Sequence, residues 1–236
     1  MYLGIDLGTS SIKCLLIDDN QKTVATSSHD FTISTPKSGW AEQDPSFWIN
    51  GLSKCLNVLN KNVDFKKILS ISFSGQMHGA TCLNQEGKII RPSILWNDTR
   101  SFKECESMMD SNPDIMDITG NLAMPGFTAP KIAWMREHEP EAFKAIDKVL
   151  LPKDYLRFYL SNEFFTDMSD ASGTYWLNVG ERKWSKKLLD LCDLTEDNMP
   201  QLCEGTSQTG VVSKKIAETY GFDYACKIIG GAGDNA

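Results

Sequence analysis

At 236 residues, 41% of them hydrophobic and 23% charged, the chain has the composition of an ordinary globular protein, long enough to bury most of its apolar surface without disulfides or metal staples. A net charge of −7, with lysines and arginines scattered among the acids, argues against nucleic-acid binding. The 7 cysteines form no CxxC pair and read as reduced, mostly buried thiols of a cytosolic protein; MYLGIDLG has no basic n-region, and no apolar run approaches the roughly 18 residues of a membrane span.

In chain order, Tyr2 to Leu7 and Ile12 to Ile17 are short apolar runs rich in branched residues, separated by GTSS, and VATSSHDFTI (24–33) alternates like a third strand after the turn DDNQK. Three strands in succession place GIDLGTSSIK (4–13) in a hairpin. That excludes a P-loop or a GxGxxG turn, both of which open a helix. Asp44 and Pro45 form an N-cap and first helical position, after which Trp48, Leu52, Cys55, Leu56 and Leu59 make one buried stripe. Residues 68–73 return to strand and break at SGQMHGA (74–80); Ala80 to Leu83 is a further strand turning at 85–87. The middle reads as helix over Phe102–Met109, Ala129–Glu137, Asp154–Leu160 and Trp184–Leu191, with turns at Pro113, Gly120, Pro125, Pro140 and Asn162. Val211–Tyr220 reads as a helix ended by Gly221, and Lys227–Ile229 as a last strand running into GGAGDNA. No repeat or linker interrupts this pattern. It predicts an α/β fold with one mixed central sheet and a helix-rich insertion.

Three segments could carry chemistry. In the hairpin, Gly8 lets backbone approach a ligand, Thr9, Ser10 and Ser11 offer hydroxyls and N–H groups to phosphate oxygens, Lys13 adds a cation, and Asp6 could hold a metal-bound water; a polar turn would look the same. In GGAGDNA, small residues leave Asp234 open to accept a proton from an attacking hydroxyl, with Asn235 beside it, although Gly-rich ends are also often plain tails. SGQMHGA sets Gln76, Met77 and His78 on a tight turn after a strand, where α/β proteins bind ligands, but a lone histidine is more often structural. LWNDTR (95–100) reads first as an Asp98–Arg100 salt bridge shaping a loop, with Trp96 and Asn97 suited to a polyol as the sharper alternative. Asp167 and Asp170 in TDMSDASGT read as turn and cap residues, and Ile132, Trp134 and Met135 as core.

Together, these segments resemble the FGGY carbohydrate kinases, within the actin/hexokinase/Hsp70-type fold. GIDLGTSSIK resembles that fold's first phosphate motif, GGAGDNA the catalytic-aspartate loop, and GFTAPKIAWMREH (126–138) the family signature. GQMHGAT, ILWNDTR, VLLPKDYLR and DMSDASGT are most similar to bacterial xylulokinases. The resemblance implies ATP-dependent phosphorylation of D-xylulose to D-xylulose 5-phosphate. Asp234 would be the base, with Met77, His78, Asp234 and Asn235 binding the sugar. Asp6, Gly8, Thr9, Ser10 and Lys13 would face ATP, with Asp6 placing Mg²⁺ through water. It also implies a cytoplasmic enzyme whose partners are sugar and ATP, with no nucleic acid or membrane, and allows a homodimer. Family members have two actin-like domains and roughly twice this length. Residues 1–236 are therefore expected to be the N-terminal sugar-binding domain, inactive alone, without the nucleotide-binding domain. The alternatives are a kinase of gluconate, ribulose or glycerol, or a non-catalytic sugar-binding module.

Overall fold

The computed structural model describes residues 1–235. β1 (Tyr2–Leu7) and β2 (Ser11–Ile17) pair antiparallel, with Leu7 opposite Ile12 and Asp6 opposite Lys13, so GTSS closes a hairpin as expected. Alternation sorts the faces: Leu3, Ile5, Leu7, Ile12, Cys14 and Leu16 are buried, whereas Tyr2, Asp6, Lys13 and Leu15 point to the other, more open side. β3 (Thr23–Asp30) adds antiparallel to β2. α1 (Pro45–Asn60), capped by Asp44 accepting from the Ser46 N–H, buries Trp48, Leu52, Cys55, Leu56 and Leu59 against the inner face.

The sheet runs Gln208–Val211, Lys227–Ile229, Ser70–Gly75, β1, β2, β3, and Ala232–Gly233 also pairs with Ser70–Gly75. It is mixed: 70–75 is parallel to β1, to 227–229 and to 232–233, and the remaining pairs are antiparallel. Leu7, Gly75 and Gly233 stand in one row of the register. The residues that follow them, Gly8, Gln76 and Asp234, therefore leave the sheet at the same edge, where the carboxyl ends of parallel strands leave a crevice.

A second core fills the insertion, built around Ile132, Met135, Trp134, Trp176 and Trp184 on the helix Thr128–His138 and its neighbours. Six of the 7 cysteines are buried and none is in a disulfide. Among the described residues no helix is long and apolar enough to cross a membrane.

Several boundaries differ from the sequence pattern. The third strand stops at Asp30 instead of Ile33, because Phe31 turns inward onto α1 at Gly51. The fourth starts at Ser70 because Asp64 caps a short turn, Phe65–Lys67, that takes up the preceding residues. Val211 is not helical; it pairs with Lys227 at the sheet edge, and the helix covers only Lys214–Tyr220, ended by Gly221 at φ 80°. Trp184 pairs with Leu177, leaving the helix Lys186–Asp190 capped by Ser185. The short helices Ile115–Thr119 and Pro140–Lys144 have too few turns to show a periodic stripe.

Candidate functional site

Thr9, Met77, His78, Trp96, Asp234 and Asn235 line a cleft of about 120 Å³ at the common strand edge. The hairpin, the QMHG turn and the GDN loop thus meet, though they lie far apart in sequence. Backbone bonds hold the row: the Gln76 N–H donates to the Leu7 carbonyl at 2.7 Å and the Asp234 N–H to the Gly75 carbonyl at 2.9 Å. A larger hollow of about 440 Å³ beside Lys103 and Glu137 is lined by none of these three segments.

Asp6 and Lys13 lie beside this cleft rather than in it. They point to the open face of the sheet and line a separate hollow of about 360 Å³ with Ser72 and Ser74. Gly8 and Ser10 form the hairpin tip between the two and line neither. Asp6 still reaches the cleft electrostatically, because partial burial, and then the Asp6 charge, push the Asp234 carboxyl above the usual carboxylate range.

His78 has φ 66°, a conformation most residues avoid, which turns its ring toward the insertion. Nδ1 lies 2.9 Å from the Gly173 carbonyl. A carbonyl only accepts, so Nδ1 carries the proton and Nε2 keeps a free lone pair. Burial lowers the ring pKa to about 4, against the lesser upward pull of Gly173, so the neutral form prevails at pH 7. The His78 carbonyl is held from below by Lys131 Nζ at 2.8 Å and Thr128 Oγ1 at 3.2 Å, both from the GFTAPKIAWMREH segment. Phe127 packs edge-on against the ring.

The sequence reading missed several supports. Gln43 links the loops: its Nε2 donates to the Thr9 carbonyl at 3.1 Å, and its Oε1 accepts from Trp48 Nε1 at 2.6 Å and Gln76 Nε2 at 3.3 Å. Trp96, for which the sequence allows either a loop-shaping or a polyol-contacting role, stands at the cleft wall, donating from Nε1 to Thr9 Oγ1 at 3.0 Å. Asp98 and Arg100 do form the loop-shaping pair, bidentate at 2.9 and 2.7 Å, with Arg100 stacked 3.7 Å over Trp40. Asp167 is the cap expected of it, accepting from the Asp170 N–H at the start of the helix Met168–Ser172. Both acids also belong to a buried ion cluster. Lys153 Nζ lies 2.6 Å from Asp154, 2.6 Å from Asp167 and 3.1 Å from Asp170, and Arg157 pairs with Asp154.

The model of the N-terminal domain of the FGGY family of carbohydrate kinases matches residues 1–236. The chain belongs to that family. Xylulose kinase of Escherichia coli K12 is 45% identical over 236 residues, covering 100% of this chain and 49% of that protein. The crystal structure of a xyloylose kinase from Brucella ovis superposes with TM-score 0.96 at 46% identity over 99% of this FGGY chain and 49% of its own. That of gluconate kinase from Lactobacillus acidophilus gives 0.92 at 28%, over 99% and 48%. The chain spans about half the length of the curated relatives it matches. These likenesses make the fold that of the actin-like FGGY sugar kinases.

Proposed function

We propose that this FGGY chain is the sugar-binding, N-terminal half of an ATP-dependent kinase that converts D-xylulose to D-xylulose 5-phosphate. The observation that carries the reading is the single cleft lined by Asp234, His78 and Thr9 together. A sugar seated there meets an acceptor at His78 Nε2, an amide at Asn235, and apolar surface from Met77 and Trp96 for its carbon face. Asp234 takes the proton of the hydroxyl as it attacks the γ-phosphoryl; its raised pKa brings it closer to the range of an effective general base at neutral pH. Thr9, Ser10 and Gly8 supply hydroxyls and backbone N–H groups for the ATP phosphates, and Lys13 a positive charge.

The Asp6 carboxylate is an oxygen donor of the type Mg²⁺ prefers, and it would hold the ion through a bound water beside the cleft. Bound there, the ion would neutralise phosphate charge. The nucleotide-binding surface beyond the hairpin belongs to a C-terminal half, so this chain alone is expected to be inactive.

A coupled ADP-release assay on the full-length protein, across pentuloses, gluconate and glycerol, tests the reading. Turnover should be fastest with xylulose and absent from the 236-residue chain alone. A preference for gluconate would move the protein to the chemistry named for its Lactobacillus structural neighbour. Failure to phosphorylate any sugar would leave a binding module.

A further inference from the structure

The helix Met168–Ser172 touches both halves of the cleft. At its C-terminal end the Gly173 carbonyl holds His78 Nδ1. At its middle, Asp170 Oδ1 lies 3.1 Å from where a side chain on Gly233 would begin, a point that Met77 Cγ and Sδ also crowd at 2.5 and 2.9 Å. Gly233, the residue before the proposed base, is thus packed close against both Met77 and Asp170. Asp170 is fully buried, and among the described residues it is held by charge, with the Lys153 ammonium 3.1 Å from Oδ2 and no hydrogen bond to Oδ1. Its position is set by the Lys153 ammonium, itself wholly buried, which also binds Asp154 and the helix cap Asp167. Burial disfavours the charge on Lys153, but the three carboxylates outweigh it and raise the ammonium pKa.

We propose that Asp170, fixed by Lys153, is a positioning residue: through this helix it sets the distance between the sugar-binding His78 and the base Asp234. The helix works as a spacer with one end under the sugar turn and its middle under the aspartate loop. None of its residues is among those that line the cleft. The inference rests on the kinase reading for its effect on rate, though not for its effect on the loop.

Two substitutions separate spacing from bulk stability. Asp170→Ala removes the seat of Gly233 yet leaves Lys153 and Arg157 facing Asp154 and Asp167, two charges of each sign. In the full-length enzyme it should lower kcat by about 10- to 100-fold, the scale expected of a misplacement near 1 Å, with KM for ATP within about twofold. Asp170→Asn keeps the shape and should recover most of that loss. Should the alanine variant fail to fold, Asp170→Ser takes its place in the comparison. In the 236-residue chain, hydrogen exchange of the Asp234 N–H, bonded to Gly75, should accelerate in the alanine variant at unchanged exchange of β1. The proposal is overturned if the folded alanine variant retains its kcat within twofold, or if Asp234 exchange rises only in step with β1, which would mark a purely structural role. If the unsubstituted enzyme phosphorylates no sugar, the kinase reading falls, and the exchange comparison still decides the spacer.

Discussion

Gly173→Ala separates stability from function at the sugar turn. Gly173 has φ −78° and ψ −2°, right-handed values open to alanine, so the backbone gains about 0.4–1 kcal/mol from a stiffer unfolded chain. The added Cβ, however, would stand about 1 Å inside the ~3.5 Å optimum for contact with His78 Cε1 and Nδ1. The imidazole has to move away, breaking its bond to the Gly173 carbonyl at a cost of about 0.5–1.5 kcal/mol. These two effects nearly cancel in the folding free energy, and Tm should change little. The cleft gains nothing in return: Nε2 shifts by about 1 Å from the sugar, and the loss of one well-placed acceptor, about 1.4 kcal/mol, is tenfold in affinity. Differential scanning fluorimetry and the sugar KM of the full-length enzyme should therefore diverge, the first flat and the second raised about tenfold. A KM within twofold of the parent would refute the role given to His78. A large fall in Tm would refute the cancellation.

Asp234→Asn in the full-length enzyme should reduce kcat by about 10²- to 10⁴-fold, with sugar affinity held within a few-fold in calorimetry; retained turnover would remove Asp234 as the base. His78, with an ordinary pKa of 6.5 lowered to about 4 in the fold, binds its proton first in the unfolded chain. Its contribution is full above pH 6.5 and is lost as pH falls to 4, at most about 3 kcal/mol. Urea midpoints at pH 7 and pH 4.5 should fall further apart for the parent than for His78→Gln, and equal differences would show that the ring does not titrate in this way. Gly231→Ala places a Cβ at φ 86° against the Phe73 carbonyl oxygen. It should cost about 2–4 kcal/mol, or about 4–16 °C in Tm. A shift under 2 °C would mean that the loop before Asp234 relaxes freely.

What could be read from the sequence was local. The hairpin, α1 and the strand Lys227–Ile229 follow from short-range alternation and caps, and Asp234, His78 and Thr9 stood out because glycines flank polar groups beside apolar runs. What escaped was contact between distant residues. Gln43 is an unremarkable glutamine until Thr9, Trp48 and Gln76 close around it. Gly173 resembles any helix-ending glycine. Asp6 and Lys13 neighbour Thr9 in sequence, yet strand alternation sends them to the open sheet face. One signal for the ion cluster was present: Lys153, Asp154 and Arg157 share a helix with the core residues Leu156 and Leu160, and charges beside an apolar stripe need partners.

The parallel register that lines up Leu7, Gly75 and Gly233 also imposes an order on synthesis. A ribosome delivers β1 and β2 first, and a nascent hairpin can form within microseconds from local contacts. The crevice beside it has no third wall until residues 227–233 emerge and cross to the strand Ser70–Gly75, a pairing that closes a loop of more than 140 residues. On the proposed reading, a nascent chain lacking this segment lacks the wall that carries Asp234, so sugar capture would wait until it docks. A ligand of this cleft would then stabilise only chains in which residues 227–233 have docked, leaving shorter nascent chains open to proteases.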